Sequence, residues 1–362
     1  MSKVYQVIQS VFPNDSAGCD TLLTQRILSG MGLDGGIYAA QTTTEMSYSG
    51  EIKNIASLPR INDDDVFIYI HRYGEIPFEK INGSGGKKLL VYHEPVRPEI
   101  PKSEYDSPMY KGLRSHYLSA VRANKSFDGA VVFSENGKKD LEVMGYECPV
   151  SLRPVMLAEE YYANAANEET PSEMQGNAKN LVYWGKIIPD AHIEDIIAAY
   201  ACYRRYFNSN SRLILSSDGN VSDEYLRKLK RYAEFLSAEG VVFSLSVSAE
   251  KRKVYVRNSD AVICGAGCGE FPEVAAEAVF MDKPVIAWDS SENRLLFKES
   301  CKLMENCEPH IAAAFIDRLF SDDCFKNALT AMQRSEADEH SFEKVSGIIE
   351  SHIRQYIQKC GE

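Results

Sequence analysis

The sequence predicts an α/β protein of two Rossmann-like domains facing a cleft, each an open parallel sheet covered by helices. Three observations carry that prediction. Apolar runs of strand length alternate with amphipathic helical stretches along the chain. A polar, acidic stretch, "AEEYYANAANEETPSEMQGNAK" (158–179), interrupts the alternation, which then starts again. A length of 362 residues, 44% hydrophobic and 25% charged, suits two ordinary globular domains better than one. The expected division is a first domain at 1–157, a linker at 158–179, a second domain at 180–338, and a C-terminal helix at 339–362 packing back on the first domain.

The elements follow in order. "VYQVIQSVF" (4–12) is β-rich and reads as a strand, "PNDSAGC" as a loop. Asp20 is placed to cap "TLLTQRILSGM", which sets Leu23, Ile27 and Met31 on one helical face before Gly32 stops it. "GIYAA", "DVFIYIH" (65–71), "KLLVYHE" (88–94) and "GAVVFSE" (129–135) are further strands, with a helix over "PMYKGLRSHYLSAVRANKS" between the last two. In the second half, strands "NLVYWGK", "RLILSS", "VVFSLSV", "DAVICG" and "KPVIAW" alternate with helical "HIEDIIAAYACYRRYF", "DEYLRKLKRYAEFLSA" and "AEKRKVYVRN". The tail, 310–359, reads as helical throughout. Such sheets bind ligands at the carboxyl ends of their strands.

Composition narrows the function. A net charge of −12 argues against a nucleic-acid partner, which must have its phosphates neutralised. Nine cysteines without a CxxC pair read as reduced, mostly buried thiols of a reducing cytosol. The start, "MSKVYQVIQSVF", has no signal-peptide pattern, and no stretch approaches the ~20 apolar residues of a membrane span. A cytoplasmic protein is expected. The basic stretches 111–125 and "RKLKR" (227–231) suit either anionic lipid head groups at the inner membrane face or plain solvated helix faces. "NDDDV" (62–66) precedes its strand, the wrong end for metal ligands, and reads as a turn.

The chemistry concentrates in "CGAGCGEFPEVAAEAVFMDKPVIAW" (264–288). Gly265, Gly267 and Gly269 lead from a strand end into a helix starting near Pro272, an arrangement that exposes N–H groups to a phosphate. Glu273 and Glu277 share a helical face, where ionised carboxylates accept hydrogen bonds from sugar hydroxyls. A ligand-free turn followed by an acidic helix start fits the same letters.

This segment resembles the donor-site signature of the GT-B-fold retaining glycosyltransferases, specifically the large sucrose-synthase-like family 4. That signature has Glu-Gly-Phe-(Gly)-x-Pro, a second Glu followed by Ala, and then Gly-x-Pro-Val-Ile-Ala. Phe271, Pro272, Glu277, Ala278 and "PVIA" (284–287) coincide with it. The resemblance implies that Glu277 binds the ribose of a nucleotide sugar. The first Glu falls on Gly269, with Glu270 one place late. Upstream, "LVYWGKIIPDAHIEDIIAAY" resembles the family's basic strand end, so Lys186 is implied as a diphosphate contact. The family's second lysine falls on Ala191, for which Arg153, Lys251 or Arg257 are the candidate replacements. The backbone around Phe243 to Val247 would hold the base. Ala17 and Gly18 match the small glycine loop near the donor phosphate, and His93 the histidine near the transferred sugar. His71 and Arg72 fall on the acceptor side.

What the resemblance implies is a retaining, metal-independent transferase with no cofactor. It would move a sugar from a nucleotide-diphosphate sugar to a saccharide, lipid-linked or other hydroxyl acceptor in bacterial surface polysaccharide or glycoconjugate synthesis. The residues implied as catalytic are His93, Lys186 and Glu270. A catalytically weak sugar-nucleotide binder or scaffold of the same fold and a nucleotide-sugar epimerase remain alternatives.

Overall fold

Buried runs build the sheets. Val66–His71 is buried at all six positions, as expected of a strand covered on both faces. The computed structural model describes residues 2–11, 16–42, 52–72, 81–94, 108–157, 169–217, 221–245, 247–265, 271–304 and 308–358. The chain divides into two units, Met1–Ala158 with His340–Glu362, and Glu159–Glu339.

The first unit runs β1 (Val4–Val11), α1 (Ser16–Gly30), β2 (Asp34–Thr42), β3 (Ile52–Asn54), β4 (Val66–His71), β5 (Lys87–Tyr92), α2 (Pro108–Arg122), β6 (Gly129–Val132), α3 (Glu135–Val143) and β7 (Val150–Leu152). Among the described residues its seven strands lie in the order β3-β2-β1-β4-β5-β6-β7, all parallel. On one sheet face Val4, Ile8, Ile68 and Val91 meet Leu23 and Ile27 of α1 and Val345, Ile349 and Ile353 of the C-terminal helix (Phe342–Gln358). That helix packs on the first unit, as the sequence suggests. On the other face Phe67, Tyr69 and Tyr92 meet Ala120, Ala123 and Leu141.

The structure departs from the sequence expectation at two places in this unit. Asp20 does not cap a helix: α1 begins at Ser16 and carries Asp20 inside it. The side chain is 2% exposed and accepts two hydrogen bonds from Arg153, at 2.9 and 2.6 Å. A buried carboxylate held by a bidentate guanidinium has no reason to sit at a helix end. The run 129–135 is not all strand either; β6 stops at Val132, and Ser134 caps α3 by accepting from the Gly137 N–H at 2.9 Å.

The second unit runs β8 (Lys179–Trp184), α4 (Ile193–Tyr206), β9 (Ser211–Ser217), α5 (Asp223–Phe235), β10 (Val241–Leu245), α6 (Ala249–Asn258), β11 (Ala261–Cys264), α7 (Glu273–Phe280), β12 (Val285–Ala287), α8 (Pro309–Ser321) and α9 (Asp323–Asp338). Its strands lie in the order β10-β9-β8-β11-β12, again all parallel. The two-residue alternation of β8 sends Leu181 and Tyr183 to the cluster under α4, and Val182 and Trp184 toward Tyr255 of α6. Half of the stretch read as a linker, 158–168, lies outside the described residues, and β8 already begins at Lys179. The helical tail is three helices, the first break made by Asp322, whose carboxylate caps α9 by accepting from the Phe325 N–H at 3.0 Å. Among the described residues no helix is long and apolar enough to cross a membrane.

Candidate functional site

In the second sheet the strand order reverses between β8 and β11, so the loops leaving their carboxyl ends part and open a crevice. A cavity occupies that place. Tyr183 to Lys186 from the end of β8, Cys264 and Gly265 from the end of β11, and Phe271 to Ala275 from the start of α7 line it. Arg252, Glu292 and Asn293 complete its wall.

The walls are tied down by short bonds. The Tyr183 hydroxyl donates to the Lys186 carbonyl at 2.8 Å, folding the turn after β8 back on its strand. Asn293 Nδ2 donates to the carbonyls of Gly265, at 3.1 Å, and Trp288, at 2.9 Å, fixing the first residue of the glycine turn. Only glycine fits at 265, because a Cβ there would stand 2.7 Å from the Ala191 carbonyl oxygen. The same contact explains Ala191: it is 0% exposed, packed beneath the turn where a lysine has no room.

Lys186 stands exposed in the wall, and Glu273 opens α7 behind Phe271 and Pro272. In the first turn of α7 the Glu273 N–H donates to the Phe271 carbonyl at 2.9 Å and the Ala276 N–H to that of Pro272 at 3.1 Å, which leaves the N–H groups of Val274 and Ala275 and the positive end of the helix dipole. Gly267, Gly269 and Glu270 lie outside the described residues. Phe243 and Val247 do not line the cavity. Phe243 packs against the cluster on one face of the sheet and Val247 against that on the other.

Glu277 is not in the wall. It is 0% exposed, and its Oε2 accepts from Arg252 Nε at 2.7 Å. Its Oε1 has no hydrogen-bond partner among the described residues. Burial pushes its carboxyl above the usual range, against the opposing pull of Arg252 and Lys253. The carboxylate implied as a ribose ligand is withdrawn behind Arg252, whose guanidinium the cavity meets instead. Among the candidate replacements for the second cation, Lys251 and Arg257 are exposed and outside the wall, while Arg153 is paired to Asp20 in the other unit. Arg252 is the residue the sequence reading missed. Its signal is helical spacing: positions 252, 255, 256 and 259 form the buried stripe of α6 and the turn after it, and Arg252 is the charged member of that stripe.

In the first unit, Ala17 and Gly18 fall in the opening turn of α1, both buried. His71 ends β4 and His93 follows β5, joined through the His93 N–H, which donates to the His71 carbonyl at 2.9 Å. Both side chains are buried. His71 stacks on His116 of α2 with ring centres 3.9 Å apart and planes 4° apart. His93 lies 4.3 Å from the Phe133 ring. Burial lowers His93 to about 3, with Asp20 opposing and Arg72 and Arg153 assisting, so its imidazole is neutral. Arg72 follows His71 and is half-buried. In "NDDDV" Asp63 and Asp64 are exposed, while Asp65 accepts from the backbone N–H groups of Lys3 and Asn62, as turn residues do. Among the described residues no three His, Cys, Asp or Glu side chains are grouped to hold a metal.

Neither a protein-family model nor a curated protein matches the sequence. Solved structures match the fold. A trehalose-6-phosphate protein from E. coli bound with UDP-2-fluoro glucose superposes with a TM-score of 0.67 at 11% identity, covering 98% of this chain and 99% of that one. WaaG, a glycosyltransferase involved in lipopolysaccharide biosynthesis, superposes with a TM-score of 0.62 at 13% identity over 96% and 99%. An S. aureus TarM mutant, in complex with fondaparinux, alpha-GlcNAc-glycerol and UDP, gives 0.58 at 16% identity over 82% and 56%. At these identities the likeness is one of fold, and the fold is GT-B.

Proposed function

We propose that this chain is a glycosyltransferase that binds a nucleotide-diphosphate sugar in the second unit and passes the sugar, with retention and without a divalent ion, to a hydroxyl acceptor. The observation that carries the reading is the cavity at the β8–β11 reversal, where Lys186, Arg252 and the first turn of α7 converge. Breaking the bond to the anomeric carbon leaves charge on the departing diphosphate. A lysine, a guanidinium and fixed N–H groups are placed to meet that charge without rearranging. Arg252 takes the place of the lysine missing at 191, and Glu277 acts by holding its Nε at 2.7 Å. Glu273, a carboxylate in the wall, accepts from sugar hydroxyls.

His93, His71 and Arg72 belong to the acceptor side in this reading. A neutral His93 donates one hydrogen bond and accepts another, which orients a hydroxyl; the departing phosphate takes the acceptor's proton. Relatives in fold hold UDP-2-fluoro glucose, or UDP with saccharides, which supports a sugar-nucleotide ligand. Surface polysaccharide or glycoconjugate synthesis at the cytoplasmic side is the setting that suits it.

A second reading, a sugar-nucleotide binder without transfer, is favoured by the withdrawal of Glu277 behind Arg252. Donor turnover separates the two. An enzyme releases nucleoside diphosphate slowly from its donor in water and faster with acceptor. Tight donor binding with no release from any donor would leave the binder.

A further inference from the structure

We infer that the outer face of α2 is a docking surface for an anionic lipid bilayer. At 100° per residue, Lys111, Arg114, Leu118, Val121, Arg122 and, in the turn after the helix, Lys125 fall within an arc of about 100°. All six are exposed, and Leu118 and Val121, at 44% and 43%, are among the chain's large hydrophobics left in solvent. Residues 108–127 contain no Asp or Glu, in a chain whose net charge is −12. Arg114, Arg122 and Lys125 make no ion pair among the described residues.

The opposite face of α2 is fixed to the protein. His116, Ser119, Ala120 and Ala123 are buried, and the His116 ring lies flat on His71 at the carboxyl end of β4. The basic face therefore belongs to a held helix. The other basic stretch has a different character. On α5, Lys228 pairs with Glu194 at 2.9 Å, and Asp223, Glu224 and Glu234 are exposed along the same helix. Its charge is answered within the protein; the charges of Arg114, Arg122 and Lys125 are met by no ion pair among the described residues. Aliphatic side chains interleaved with long basic ones fit an anionic bilayer, where the former reach the acyl boundary and the latter lie at the head groups. An acidic protein surface would satisfy the charges but not the two aliphatics.

The test is cosedimentation of the full chain with phosphatidylcholine vesicles, with and without phosphatidylglycerol, at low and high salt. It uses no donor, so it stands or falls apart from the transferase reading. The protein is expected to sediment with the phosphatidylglycerol vesicles at low salt and to be released by high salt. Arg114→Gln with Arg122→Gln should lower the partition coefficient about 25-fold, at about fivefold per charge. Leu118→Asp with Val121→Asp should abolish binding, while Lys230→Gln with Arg231→Gln on α5 should not change it. Unchanged circular dichroism checks that each variant is folded. The inference is overturned by absence of vesicle binding, by equal binding to phosphatidylcholine alone, by α2 variants that bind like the parent, or by sedimentation velocity showing that the face joins two copies of the chain.

Discussion

Lowering the pH from about 8 to about 5 is expected to loosen the first unit selectively, through three histidines that are buried and neutral. Burial lowers His93 to about 3 and His116 to about 4, and puts His71 well below its ordinary value, with nearby His116 and His93 adding to the effect. In the unfolded chain each takes up a proton near pH 6.5; in the folded chain none does until far lower. The stabilising contribution is therefore complete above about 6.5 and is lost as the pH falls below it, at about 1.4 kcal/mol per pH unit for each ring. At pH 5, His93 and His116 each forfeit about 2 kcal/mol, and His71 moves the same way. Those two alone remove about 4 kcal/mol, a large share of the roughly 5–15 kcal/mol that holds a domain together.

The chain carries its own control. Its two tryptophans, Trp184 and Trp288, are both in the second unit, whose histidines, His192 and His310, are exposed. Tryptophan fluorescence thus follows the second unit, and amide hydrogen exchange of β4 and β5 follows the first. Exchange protection in β4 and β5 should collapse with acid while the fluorescence melt moves little. Replacing the stacked pair by His71→Phe with His116→Phe should flatten the slope. Protection that is indifferent to pH between 8 and 5, or equal losses in both units, would refute the reasoning.

The second unit supports three further expectations. Gly265→Ala forces a methyl to within 2.7 Å of the Ala191 carbonyl and should cost about 1–3 kcal/mol in the fluorescence melt; an unchanged melt would mean the turn has room. Glu277→Ala strands Arg252 in a buried site and should cost about 3–5 kcal/mol, much of it recovered by adding Arg252→Met; no loss would mean the pair is not held together in solution. Lys186→Ala, at an exposed position, should leave the melt unchanged while weakening a nucleoside diphosphate far more than its nucleoside, and equal weakening would remove Lys186 from the phosphate site.

The sheets were legible because parallel strands buried on both faces read as continuous apolar runs, as in "VFIYIH". What sequence could not supply was the partner of a buried charge. Asp20 looks like a helix cap until Arg153, 133 residues away, is seen to hold it. Glu277 stood out as special, yet its withdrawal depends on Arg252, one letter inside "AEKRKVYVRN". There the neighbouring Lys251 is exposed, and only the helical phase separates the two. The short α3 was hidden by its glycine and charged residues, although the Ser134 cap was in plain view. The second lysine's absence was legible at Ala191; its cause, the close passage of Gly265, was not.

Titration calorimetry of the full chain with a panel of nucleoside diphosphates, each beside its free nucleoside, tests the central claim most directly. One diphosphate should bind, and its nucleoside should bind at least roughly tenfold more weakly, because Lys186, Arg252 and the first turn of α7 act on the phosphates. Heat from no diphosphate, or equal affinity for a nucleoside lacking the phosphates, would contradict it.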